Sequence, residues 1–387
     1  MTKSLGNKEN NVVNTGAFSY KQARRGKMDF WIFITIAILL AMGTIMVFSS
    51  SAAYAYSKFG DTYHFLKRQL IWLVVGFAAM MVTANFDYRK YAKISPWLLG
   101  VTFLLLVLTA LIGFELNGAK RWLGTASISF QPSEILKITL IMFLAYVMSK
   151  NYRKMGTFLI GFVMPIAITG AFALMLYFQP HMSCALIIVA VTTVMMILAG
   201  TKIRYFIAAL GAMVPILIYI VTTKEYILTR FLTFLNPFAY TSDSGYQVIQ
   251  SLYAIGSGGL FGRGIGMSLQ KYLYLPEPYN DFILSILAEE LGFVGVAAVI
   301  FLFGLLIWRG FRVANNAPDR FGSLMAAGIT ALIAVQVVIN IAVVTSSMPV
   351  TGMPLPFFSY GGTSLVFLMA DMGILLNISR YATYEKF

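Results

Sequence analysis

Ten apolar runs, most of them near the length a helix needs to cross a bilayer, dominate this 387-residue chain. They fall near 29–50, 66–84, 95–115, 133–149, 156–177, 183–199, 203–222, 282–308, 322–346 and 358–379. Backbone amides in hydrocarbon must be paired within the segment, so helices are the expected form of every run. Hydrophobic residues make up 59% of the chain and charged residues 11%, where an ordinary soluble domain carries about 25% charged. Too little polar surface remains to cover a globule. The expected fold is an all-α, polytopic integral membrane protein with about ten transmembrane helices. A basic tail (1–28) precedes a single membrane domain (29–380), with a long loop near 223–281 between helices 7 and 8 and a short tail at 381–387.

The net charge of +14 would suggest nucleic acid in a soluble protein, but the cations segregate by loop instead. With the N-terminus placed in the cytoplasm, 19 of the 29 Lys and Arg lie on that side. The positive-inside rule then puts both termini in the cytoplasm and the long loop outside, with no nucleic-acid partner. No small-residue cleavage site follows the first run, so it reads as an uncleaved helix. A lone Cys184 permits no internal disulfide, and two distant histidines, His64 and His181, leave no zinc-ligand spacing.

Acidic residues number 15, so each can be audited. An ionisable group inside a span is costly and marks a functional candidate. Lys120, Arg121 and Trp122 lie in the segment GAKRWLG, which precedes Gln131-Pro132-Ser133-Glu134-Ile135-Leu136-Lys137. Ser133 is a natural N-cap there, and Glu134 in the first turn suits the helix dipole. Glu134 and Lys137, at i and i+3, share a face. They form either a neutral pair that lets the helix start below the interface or the charged floor of an outward cavity rimmed by Lys120 and Arg121.

The long loop holds AIGSGGLFGRGIG (254–266) with Arg263, then Gln270-Lys271 and YLPEPYNDFILSILAEELG (274–292). The glycines lack the phosphate-loop order and suit turns and close backbone packing. Asp281 follows Pro276-Glu277-Pro278-Tyr279-Asn280 at the start of the eighth span, where either it or Asn280 could cap the helix. Catalysis is the other reading. Glu289 lies about 12 Å deeper and about 80° round the helix, so the two are no close carboxylate pair. The stretch from Pro349 to Ser364, with Ser359 and Tyr360, is rich in Pro and Gly. Such irregular backbone at membrane depth must be buried or line a cavity. Asp371 sits deeper in the last span and is expected to pair with a cation or an amide of a neighbouring helix that the sequence does not identify.

GAKRWLG…QPSEILK, GYQVIQSLYAIGSGGLFGRGIGMSLQKYLYLPE, DFILSILAEELGF and MPVTGMPLPFFSYGGTSL, in that order between about 29 and 380, closely resemble the SEDS family (shape, elongation, division and sporulation). APDRFGS and NISRY are most similar to its FtsW and SpoVE branch. The resemblance implies a ten-helix peptidoglycan glycosyltransferase that polymerises lipid II outside the cytoplasmic membrane beside a class B penicillin-binding transpeptidase. It also implies that Asp281 is the catalytic base and that Glu134 and Lys137 line the family's cavity. Substrate contacts are then expected from Lys120, Arg121, Trp122, Gln131, Ser133, Glu134, Lys137, Arg263, Lys271, Glu277, Ser359 and Tyr360. A divalent cation (Mg or Mn) could share the pyrophosphate charge, and no nucleotide is needed. The chain departs from the family in Asn280 for a usual Thr, in Gln179-Pro180-His181-Met182-Ser183 for Gln-Pro-Asp-x-Gly, and in Asp371 at a usually apolar or small position. A lipid II flippase is the rival expectation, and a non-catalytic scaffold for division or sporulation enzymes is a third.

Overall fold

The computed structural model describes residues 26–116, 119–124, 129–212, 232–239 and 244–383. The helices are α1 (Phe30–Phe59), α2 (His64–Asn85), α3 (Arg89–Ile112), α4 (Pro132–Lys150), α5 (Met164–Phe178), α6 (Met182–Leu198) and α7 (Ile203–Ala212). After the long loop begins come α8 (Ser244–Gly258), α9 (Ile283–Asn316), α10 (Arg320–Val344) and α11 (Gly362–Ser379). Among the described residues, eight helices are long and apolar enough to span a bilayer, α5 counting from its π-helical first turn at Phe158, and α6 and α7 are shorter apolar helices. The chain is therefore a multi-pass, all-α membrane protein. The end of the seventh expected span, 213–222, lies outside the described residues, as do tail residues 1–25 and 384–387.

Local chemistry fixes the helix ends. Asp29 caps α1 by accepting from the Trp31 and Ile32 amides at 3.0 and 3.2 Å, and Arg309 pairs with it at 3.5 Å. Helix α1 continues to Phe59, beyond the expected 50, and stops at Gly60 in a left-handed turn (φ +69°). Asp319 caps α10 and accepts from the Tyr88 hydroxyl, which ties the α2–α3 turn to it. One expected cap is corrected. Gln131 holds the N-cap position of α4, Pro132 the first turn, and Ser133 is already helical, its hydroxyl without a partner. Proline supplies the preset φ and lacks the amide that would otherwise need a cap.

Three short strands, unexpected from sequence, sit between α3 and α4: β1 (Phe114–Leu116), β2 (Ala119–Gly124) and β3 (Ser129–Phe130), antiparallel in the order β1-β2-β3. The most buried spans are α10, α4 and α11, with α2 packed along α11 and α1 against α9.

Helix α9 breaks at Gly292 (φ +67°, ψ −168°), and the glycine-rich segment 259–271 is laid across the break as a strap. The freed backbone groups are satisfied there. Glu289 and Glu290 carbonyls accept from the Arg263 and Gly264 amides at 3.0 and 2.9 Å, while Phe293 and Val294 amides donate to Gly259 and Leu260 carbonyls at 2.9 and 3.1 Å. At Gly262 (φ +78°) a Cβ would stand 2.2 Å from the Glu290 carbonyl oxygen, so only glycine allows this approach.

Candidate functional site

The expected site residues separate into three groups. The first is the α9 start. Phe282 occupies the N-cap position of α9 and makes no side-chain cap bond, so neither Asn280 nor Asp281 serves as the cap that the sequence allowed. Asn280 instead donates to Glu277 at 2.9 Å. The partly buried Asp281 carboxylate forms no hydrogen bond or ion pair with any described residue. Burial, and secondarily the Glu277 carboxylate, pushes it up to about 6.

Its backbone, by contrast, is tightly held. The Asn340 side-chain amide, fully buried in α10, donates to the Asp281 carbonyl at 2.8 Å and to the Met353 carbonyl at 2.7 Å. Ser359 donates to the Asn280 carbonyl at 2.7 Å and accepts from the Leu355 amide at 2.8 Å, and the Tyr360 amide donates to the Tyr279 carbonyl at 2.9 Å. Phe65 packs its ring 4.5 Å from Tyr279 and 4.9 Å from Tyr360. Gly352, exposed and left-handed (φ +68°), faces the carboxylate so closely that a Cβ would lie 3.3 Å from Oδ2. The Pro/Gly-rich stretch thus lines a site, as irregular backbone at this depth must.

The second group is a buried cavity. Lys137 Nζ meets Glu134 Oε2 at 2.7 Å with both side chains largely buried. Asp371 and Gln336 line the same cavity with Ser359 and Ser364, in a space of about 30 Å³, room for about two waters. Asp371 is 4% exposed and its Oδ1 has no hydrogen-bond partner. The structure therefore finds the surroundings that the sequence could not give for Asp371: the Glu134–Lys137 pair across from it. The pair neutralises the α4 start and also bounds a polar space, but neither Lys120 nor Arg121 lines that space as the outward-cavity reading expected.

Beside this cavity, strand β2 presents exposed Lys120 and half-buried Arg121 and Trp122. Arg121 donates through Nε to the Gln179 carbonyl at 3.3 Å and through Nη2 to the Pro180 carbonyl, which clips the strands onto the α5–α6 turn. That turn is well tied despite its departure from the family pattern. Gln179 reaches the Leu106 carbonyl at 2.8 Å and Ser183 reaches the Thr351 carbonyl. His181 in the turn is held down to about 3 by burial and by the nearby cations Arg121 and Lys137, so its ring is neutral where the family usually carries an acid. Gln131 remains half-buried at the α4 start, and Glu277 is exposed.

The third group stands apart. Lys271 is buried and spends its charge on Glu290 (3.0 Å), the Gly266 carbonyl (2.6 Å) and Ser49 (3.3 Å). Glu290 also accepts from Ser49 at 2.6 Å, while Glu289 accepts from Ser268 (2.5 Å) and from the Leu269 and Gln270 amides, with Arg263 at 3.7 Å. These ions fasten the strap to α9 and α1. Lys271 offers no free charge to a ligand, and Arg263 already faces Glu289.

Sequence reasoning missed Asn340 and Gln336, which lie one turn apart on α10. An audit restricted to acids passed over them, although amides inside a span are the available signal. Among the described residues no group of three or more His, Cys, Asp or Glu could hold a metal ion.

A membrane bundle with a partner-free carboxylate at a helix start, beside a buried charged cavity, defines a class of multi-pass proteins with a polar site at one end. The profile of a cell cycle protein family (FtsW, RodA and SpoVE) matches residues 30–384, and the chain belongs to that family. It is 43% identical to stage V sporulation protein E of Bacillus subtilis over 92% of this chain and 98% of that one. It is also 42% identical to a Geobacter protein named probable peptidoglycan glycosyltransferase FtsW, over 91% of this chain and 96% of that one. Among solved structures, a chain described under polymerization and crosslinking by a peptidoglycan synthase complex superposes with a TM-score of 0.75 at 28% identity, covering 91% of this chain and 98% of that one. The rod shape determining protein RodA of Thermus thermophilus gives 0.69 at 27%, covering 92% and 98%.

Proposed function

We propose that this chain is a peptidoglycan glycosyltransferase that polymerises lipid II at the outer face of the cytoplasmic membrane, with both termini inside. The observation that carries the reading is Asp281: a carboxylate free of partners, on a clamped backbone, with its proton affinity raised to about 6 by burial. A group of that affinity is ionised at neutral pH and basic enough to accept a proton.

In this mechanism the acceptor's GlcNAc 4-hydroxyl gives its proton to an Asp281 oxygen. The hydroxyl oxygen forms a bond to the anomeric carbon of the lipid-linked MurNAc donor. The bond from that carbon to the pyrophosphate oxygen breaks, with inversion, and undecaprenyl pyrophosphate departs. General-base help contributes roughly 10²–10⁴-fold. Lys120 and Arg121 on β2, with Lys137 in the cavity, are the cations to which this reading assigns the departing charge. Trp122, Gln131, Ser133, Glu277, Ser359 and Tyr360 are the further substrate contacts of this reading. A class B penicillin-binding transpeptidase is the expected partner.

The test is polymerisation of labelled lipid II by the purified protein with its transpeptidase. Asp281→Ala should abolish glycan synthesis, and full synthesis by that variant would refute the base assignment. One observation favours a second reading, lipid II transport: the charged cavity of Glu134, Lys137 and Asp371 lies inside the bundle. Translocation in proteoliposomes without polymer formation would support that reading instead.

A further inference from the structure

The residue before a helix is ordinarily oriented by the cap bonds of that helix, and α9 has none from its side chains. The orientation of residues 279–281 must come from elsewhere. Three tertiary bonds supply it: Tyr360 amide to the Tyr279 carbonyl, Ser359 hydroxyl to the Asn280 carbonyl, and Asn340 amide to the Asp281 carbonyl. Two of them come from the 353–360 segment, which itself lacks regular structure. Only Asn340 comes from a rigid span, and its second bond, to Met353, fixes that segment as well.

We infer that Asn340 is the positioning residue for Asp281: a single buried amide fastens both walls of the site to α10 and sets where the carboxylate points. The inference rests on the reading of Asp281 as the base. Asn340 is fully buried and donates to two backbone carbonyls. Its donor pair is fully committed and its Oδ1 is without a partner, so the amide is oriented by the two carbonyls alone. Gly352 belongs to the same device. Its missing Cβ leaves room beside Asp281 Oδ2, and the Met353 carbonyl that anchors it is the one Asn340 holds. Loss of the amide would free both walls, let water reach the carboxylate, and return its affinity towards the ordinary aspartate range. The charged and titratable groups around Asp281 are Glu277 and Tyr279 in its own turn, Tyr360 in the facing segment, and Arg68 of α2 beside Tyr360. From helix α10 the neutral Asn340 bonds to the Asp281 carbonyl.

The experiment is a pH–rate profile of lipid II polymerisation by the full-length chain with its transpeptidase partner, for wild type, Asp281→Asn, Asn340→Leu and the milder Asn340→Ser. Wild type should lose rate on the acid side with a midpoint near 6, following Asp281. Asn340→Leu should lower kcat at least tenfold, leave KM within about twofold, and move that midpoint down by about one unit or more. Asn340→Ser, which keeps one donor, should fall between, and it carries the test if the Leu variant does not fold. A fall in kcat with an unmoved midpoint would mean a merely structural role and would overturn the inference. So would wild-type kcat and midpoint in both Asn340 variants beside an inactive Asp281→Asn. An active Asp281→Asn would sink the base assignment itself and the positioning claim with it.

Discussion

Exchanging Asp281 for asparagine removes one charge and little volume, and it should make the protein inactive and more stable together. The size of the stability gain follows from the proton affinity. An aspartate in the unfolded chain titrates near 3.8, whereas burial brings this one to about 6 in the fold. Between those values the folded state binds more protons than the unfolded state, so stability falls as pH rises through the interval and stays low above it. Two units at about 1.36 kcal/mol each give about 3 kcal/mol lost at neutral pH. A neutral asparagine in the same place carries no such penalty. The assay is thermal unfolding in detergent at pH 4.5 and pH 7.5, beside lipid II polymerisation. Wild type should melt higher at the lower pH so far as this group is concerned, and the variant should close the gap by gaining several degrees at pH 7.5. Its polymerisation should fall by roughly 10²–10⁴-fold. An Asp281→Asn protein that melts lower than wild type at pH 7.5, or that keeps most of its activity, would refute the reasoning. Such a carboxylate would be serving the fold, not the reaction.

Other outcomes follow from the same structure. Lys137→Met strands Glu134 in a buried setting and should cost about 3–5 kcal/mol, read as a drop in melting temperature, with Glu134→Gln added to it recovering much of the loss. Asp371→Asn removes a buried carboxylate whose Oδ1 has no partner, and it should raise the melting temperature. Gly262→Ala would drive a Cβ against the Glu290 carbonyl at a left-handed backbone position, so the strap should lift and residues 259–271 become sites of limited proteolysis. Arg121→Ala unclips β2 from the α5–α6 turn and removes a cation from the departing charge, so it should lower kcat for lipid II polymerisation more than it raises KM.

Much of the architecture was legible because a bilayer punishes error in so simple a way. An apolar run of about 20 residues has one workable conformation, and α1, α2, α4, α9 and α10 begin within about two residues of their runs, whereas α3 starts earlier, at Arg89, and α11 later, at Gly362. The glycine cluster also read correctly as close backbone packing. The pairing of Lys271 with Glu290, and of Arg263 with Glu289, was not legible, since nothing local says which distant carboxylate a loop cation will meet. The break at Gly292 was hidden for the same reason: inside an unbroken apolar run, a helix is interrupted only because a strap from elsewhere supplies replacement bonds. Of the strands between α3 and α4, β1 and β3 are too short to carry a period-2 pattern, and β2 (Ala-Lys-Arg-Trp-Leu-Gly) does not alternate. Asp281 was visible as a residue but not as a free one, because capping and catalysis ask for the same side chain at the same place. The structure excludes capping only because Phe282, not Asp281, takes the N-cap position, with no side-chain cap bond.

The strap has a consequence for biogenesis. A helix entering the bilayer with Glu289 and Glu290 uncompensated would carry two adjacent carboxylates past the interface, at a cost of roughly 2.5–3.5 kcal/mol each near the centre. Lys271 precedes Glu290 by only 19 residues, so the ribosome delivers the cation before the acid. Ser49, 241 residues upstream, already stands in the first helix when Glu290 is made. The nascent eighth span therefore partitions together with its own counter-charge, and the earliest helix to insert serves as the berth where that neutral unit comes to rest.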